Sequence, residues 1–128
     1  MKFVPEALDG VNTISRFDER APVRLWVGGG VHERSVLVPW VGAVTPWPVA
    51  RWADLSLADF ERLAAFEPEL VIFGSGSRMR FAPPALLRPL IERRIGVECM
   101  DTAAACRTYN VLASERRSVL AALLVGVD

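Results

Sequence analysis

An α/β domain built in three layers is the fold class that this sequence predicts, and three observations predict it. From Thr13 to Val38 short β-branched or aromatic runs alternate with turn formers, as the strands of an antiparallel meander do. From Leu70 onward the order strand, loop, helix occurs twice, with strands apolar enough to be covered on both faces. The 128 residues match one ordinary domain of roughly 100–200 residues, and no internal repeat or linker divides them, so residues 1–128 are expected to form a single domain.

The meander begins with strands at Thr13–Phe17 and Val23–Val27. Gly28, Gly29 and Gly30 then permit the positive φ of a tight hairpin, after which Ser35–Val38 is apolar enough to return as a third strand. Glu33 and Arg34 lead into strand-like sequence rather than a helix, so the triple glycine reads as a turn and not as a phosphate loop. Trp40, Trp47 and Trp52 fall in a stretch punctuated by prolines, which favours an irregular or edge segment whose indoles fill a core or an interface. Ser56 with Asp59 three residues on forms a capping box, and Leu57, Phe60, Leu63 and Ala64 recur on one face of the helix that follows. Pro68 should stop that helix near Phe66.

Leu70–Phe73 is a continuous apolar strand that runs into Gly74, Ser75 and Gly76. Pro83 and Pro84 suit a helix start, with Leu86, Leu87, Leu90 and Ile91 as its buried stripe, while Pro89 demands either a kink or a start later than Pro84. Gly96–Met100 is the next strand, Asp101 and Thr102 occupy capping positions, and a helix continues through Cys106 and Tyr109. Val119–Val125 completes the sheet as a terminal strand.

Composition narrows the function classes. Hydrophobic residues make up 52% and charged residues 23%, which excludes a disordered chain. Fifteen bases cancel fifteen acids, so no global field draws the chain to nucleic acid or to an anionic membrane. Cys99 and Cys106 are too few for a disulfide framework or a structural zinc site, and a reducing, cytoplasmic setting fits them. Met1–Gly10 shows no targeting segment, and the longest uncharged run, Ser35–Ala50, is too short and too rich in proline for a membrane span.

When consecutive strands run parallel, the loops at their carboxyl ends converge, and glycine amides and helix N-termini point at the same place. Two loops qualify here. One is Gly74, Ser75, Gly76, Ser77, Arg78, Met79 and Arg80; the other is Asp101 and Thr102, with Thr108, Tyr109 and Asn110 farther along the helix. Together they could cradle a small anion, with the amides of Ser75, Gly76 and Ser77 as a nest and Arg78 or Arg80 adding charge-assisted bonds. The plainer reading is a tight turn whose arginines are solvated or paired with Glu98 and Asp101. No catalytic set is assigned: His32, the lone histidine, lies in the meander, and Cys106 reads as a small buried thiol. No metal site or cofactor is expected either.

The runs Val71-Ile72-Phe73-Gly74-Ser75-Gly76, Gly96-Val97-Glu98-Cys99-Met100-Asp101-Thr102 and Ala105-Cys106-Arg107-Thr108-Tyr109-Asn110-Val111-Leu112 resemble a family of small domains of unknown function. That family includes the mitochondrial complex I assembly factor three and an adipogenesis-associated protein. The resemblance implies a central mixed β-sheet with helices, beside which N-terminal antiparallel β-hairpins pack as a further layer. It also implies bacterial members without assigned activity and a mitochondrial relative that works through protein contacts. Two positions depart from the family pattern: Arg116 stands where Glu-Gly-Arg is usual, and Pro89 interrupts the helix after the glycine loop. The first bears on whether a glycine-type turn is kept, the second on how that helix presents its N-terminus.

The leading expectation is therefore a non-catalytic protein-binding or assembly module with an unidentified protein partner. A small enzyme or sensor for an anionic metabolite at the Gly74–Arg80 loop is the competing expectation, and homodimerisation through the tryptophan segment is a third.

Overall fold

The structure, a computed structural model, describes residues Gly10 to Gly126. The expectation that Met1–Gly10 holds no targeting segment thus falls, but for Gly10, outside the described residues. Three short strands, β1 (Ile14–Asp18), β2 (Arg24–Val27) and β3 (Gly30–His32), pair antiparallel in that order. Strand β4 (Val36–Pro39) and the two-residue β5 (Thr45–Pro46) lead to helix α1 (Leu57–Ala65) and strand β6 (Leu70–Gly74). Helix α2 (Arg88–Glu92), strand β7 (Gly96–Met100), helix α3 (Thr102–Ser114) and strand β8 (Val119–Leu123) follow. The larger sheet runs β5-β4-β8-β6-β7, parallel from β8 through β7 and antiparallel where β4 meets β8.

Alternation along the strands sorts the core into two halves. Leu37, Val71, Phe73, Leu120 and Ala122 face one side of the sheet, where they pack with Trp47 and with Phe60, Leu63 and Leu90 of α1 and α2. Val36, Val38, Ile72, Ala121 and Leu123 face the other side, against Ala105 and Tyr109 of α3 and Ile14, Leu25 and Val27 of the hairpin sheet. The three layers are thus α1 with α2, the mixed sheet, and α3 beside the hairpin sheet. Among the described residues no helix is long and apolar enough to cross a membrane.

Caps form as the sequence predicts. The Ser56 hydroxyl accepts from the Asp59 amide, and the Asp59 carboxylate accepts in return from the Ser56 amide at 2.9 Å. The Asp101 carboxylate accepts from the Ala104 amide at 2.8 Å and starts α3. Pro89 lies in the first turn of α2, where it removes no helical hydrogen bond, and Pro84 begins a separate 3-10 turn over Pro84–Leu87. The later start is the one realised. Arg116 takes φ +60°, so the left-handed turn after α3 is kept without a glycine.

Three expectations need correction. The third strand of the hairpin sheet is Gly30–His32, not Ser35–Val38, because the chain re-pairs at once after Gly28-Gly29, with Val27 opposite Gly30. Of the three glycines only Gly28 takes a positive φ, at +57°. Every residue of Val36–Pro39 is buried, which a strand achieves only inside a sheet covered on both faces, so it joins the large sheet. Ile91 is 63% exposed and Leu57 43% exposed: α2 is too short to bury more than Leu90, and Leu57 sits at the open first turn of α1. The tryptophan segment fills the core, as its apolar indoles lead one to expect: Trp47 is 1% exposed and stacks edge-on with Phe60 and Phe73, while Trp52 packs against Phe73.

Candidate functional site

The two βα corners meet. Parallel pairing sets Phe73 beside Cys99 and Gly74 beside Met100, so the loop after β6 and the start of α3 leave the sheet side by side. Gly74 makes this approach possible: a Cβ there would lie 2.9 Å from Leu123 Cδ2 and 3.1 Å from Thr102 Cα. The Thr102 amide donates to the Gly76 carbonyl at 2.9 Å, and the Thr102 hydroxyl accepts from the Gly76 amide at 2.9 Å. The same hydroxyl donates to the Leu124 carbonyl at 2.7 Å, so one buried side chain ties together α3, the glycine loop and the end of β8.

The loop residues are engaged in the same way. The Ser75 amide donates to the Met100 carbonyl at 2.8 Å, and its hydroxyl donates to the Arg78 carbonyl at 2.6 Å while accepting from the Arg80 amide at 2.9 Å. The Arg80 guanidinium lies 4.3 Å over the Trp52 ring and donates to the Ser75 carbonyl at 3.2 Å. The expected nest therefore loses two of its three donors, because the amides of Ser75 and Gly76 already bond within the fold. The expected pairing of Arg78 and Arg80 with Glu98 and Asp101 is also not formed among the described residues, since the Arg80 side chain turns back onto Trp52.

Beside the corner lies a cleft of about 530 Å³ between the hairpin layer and α3. Gly76, Ser77, Asp101 and Thr102 line it, whereas Gly74, Ser75, Arg78, Arg80, Thr108, Tyr109 and Asn110 do not. Its other wall comes from Phe17, Pro22, Val23 and two loop acids, Glu19 and Glu33, which no local pattern in the sequence marked. Three carboxylates, Glu19, Glu33 and Asp101, face one guanidinium, Arg34, so the walls are net acidic and oppose an anion. In the hairpin layer Asp18 pairs with Arg16, Arg20 and Arg24, and the hydrogen bonds from Arg20 hold the Asp18 carboxyl below its usual pKa.

Tyr109 and Asn110 hold layers together. The Tyr109 hydroxyl donates to the Asn12 carbonyl at 2.7 Å, and burial pushes its pKa up. The Asn110 side-chain amide accepts from the Ile14 amide at 2.9 Å and donates to the Ile14 carbonyl at 2.7 Å, as a neighbouring strand would. Cys106 is buried, and desolvation raises its thiol to about 12, which leaves it protonated and inert at neutral pH.

Residues 17–124 match a family model described as Protein of unknown function (DUF498/DUF598). The chain is 34% identical over 84 residues to the NADH dehydrogenase [ubiquinone] 1 alpha subcomplex assembly factor 3 of Xenopus tropicalis, covering 64% of this chain and 46% of that protein. It is 36% identical over 98 residues to an uncharacterized protein of Rhodobacter capsulatus, covering 77% of this chain and 74% of that one. The crystal structure of a Bordetella parapertussis protein superposes with a TM-score of 0.83 at 34% identity, over 92% of this chain and 98% of that one. A solution structure from Bordetella pertussis described as a Mth938-like domain gives 0.82 at 28% identity, over 100% and 94%. The chain spans about half the length of the assembly factors it matches.

Proposed function

Because this chain belongs to the DUF498/DUF598 family, we propose that residues 1–128 act as one bacterial-type, non-catalytic protein-binding domain in the cytoplasm, assisting assembly of a respiratory NADH dehydrogenase. The observation that carries this reading is the 34–37% identity to assembly factor 3 from several animals, over a stretch that takes in about two thirds of the chain. Geometry supports it: the hydroxyls of Ser75, Thr102 and Tyr109 and the side-chain amide of Asn110 all bond within the fold. A scaffold whose polar groups are engaged internally acts through its surface.

The competing reading, an enzyme or sensor for an anionic metabolite at the Gly74–Arg80 loop, needs donors that are already engaged and an anion that tolerates acidic walls. Deleting the gene in its native host and resolving membranes on a native gel stained for NADH dehydrogenase activity tests the assembly reading. Loss of the complete complex with accumulation of subassemblies, reversed by a plasmid copy, is the expected result. An unchanged band in the deletion strain refutes it.

A further inference from the structure

The larger sheet ends differently on its two sides. One edge is β5, two residues long and closed by Pro46. The other is β7, five residues in unbroken register with β6, without proline, lysine or bulge. Natural sheets usually blunt a free edge with such devices, because unpaired main-chain groups recruit another strand. Here proline, lysine and bulge are missing, and Glu98 is the one charge on the strand.

The orientation of the β7 backbone follows from its bonds. The Gly96 amide donates to the Glu69 carbonyl at 3.1 Å and the Met100 carbonyl accepts from the Ser75 amide at 2.8 Å, so Gly96, Glu98 and Met100 turn their main chain toward β6. In a parallel ladder alternate residues point to opposite sides, which aims the amide and carbonyl of Val97 and of Cys99 away from the sheet. Among the described residues none of these four groups has a partner. Their side chains are half-buried against the α1 and α2 layer, while exposed Glu98 lies on the opposite face and forms no ion pair among the described residues.

We propose that β7 is a strand-addition site that takes an extended segment of a protein partner in which a basic residue sits opposite Glu98 between two apolar residues. The apolar pair continues the surface of Val97 and Cys99, and the base meets the unpaired carboxylate across the ladder. A second copy of this chain fits less well. The symmetric register that uses Val97 and Cys99 of both copies sets Glu98 directly against its own counterpart, and like charges so placed repel. This inference deepens the assembly reading by naming the chemistry of its partner.

The test is an amide NMR titration of the 15N-labelled full chain with capped seven-residue peptides. One alternates valine with lysine, one alternates valine with glutamate, and a third is the lysine peptide N-methylated on its backbone. The Val97 and Cys99 amides should shift saturably with the lysine peptide, about fivefold more tightly than with the glutamate peptide, and the ranking should invert in Glu98→Lys. Unshifted Val97 and Cys99 amides, equal binding of the N-methylated peptide, an unchanged ranking in Glu98→Lys, or concentration-dependent self-association at the same amides would each overturn it. The native-gel result does not depend on which surface the partner uses, so the two readings fail separately.

Discussion

Replacing Thr102 with valine keeps the shape of the side chain and removes only its hydroxyl. That hydroxyl accepts from the Gly76 amide at 2.9 Å and donates to the Leu124 carbonyl at 2.7 Å, and Thr102 is 1% exposed, so both bonds are buried. Each buried group left unpaired costs about 1–3 kcal/mol, which puts Thr102→Val about 2–6 kcal/mol below the wild type. Domains of this size have about 5–15 kcal/mol in all, so the loss is a large share. Urea unfolding should show the midpoint falling by about 1–3 M at unchanged slope. Thr102→Ser keeps both bonds and loses one methyl group, a change of about 1 kcal/mol. A Thr102→Val midpoint within about 0.2 M of wild type, or a serine variant as unstable as the valine variant, refutes the claim that this hydroxyl locks the two corners.

Asn110→Ala removes two bonds to Ile14 and should cost about 1–3 kcal/mol, with the Ile14 amide losing its hydrogen-exchange protection while α1 keeps its own. Arg116→Gly relieves a left-handed residue at φ +60° and should raise the urea midpoint by the equivalent of roughly 0.5–1 kcal/mol. Burial raises the Cys106 thiol to about 12, above its value in the unfolded chain, so its contribution is whole below about pH 8.5 and is lost as pH rises toward 12. Between pH 9 and 10 stability should fall by about 1 kcal/mol from this group, and the fall should flatten in Cys106→Ala when both proteins are unfolded in urea across that range.

Local chemistry made much of the fold legible. The Ser56 and Asp59 capping box, the Asp101 cap, the buried run of β6 and the terminal strand β8 all follow from residues close together in sequence. Long-range pairing was not legible. Nothing near Val36 reveals that it lies opposite Leu123, and nothing near Gly30 reveals that β3 stops at His32. In the site, the meeting of the Ser75 and Thr102 loops was readable from the repeated strand, loop, helix order, but its consequence was not. Tyr109 and Asn110 sit about 10–12 Å along α3 from Thr102, too far to share a corner with it, and they face the hairpin layer instead. Arg80, expected to bond an anion or to be solvated or paired with Glu98 or Asp101, stacks on Trp52, a contact between positions far apart in the chain that no local pattern reveals.

The polar groups of the two corners bond within the fold, and the claim to test is that they hold no ligand. The Gly76 amide reports on this most directly, since it is the nest donor that Thr102 engages. Followed by NMR while inorganic phosphate is added, it is predicted to stay unshifted and to exchange slowly with solvent. A saturable phosphate-dependent shift of the Gly76 amide, with rapid exchange before phosphate is added, would contradict the account.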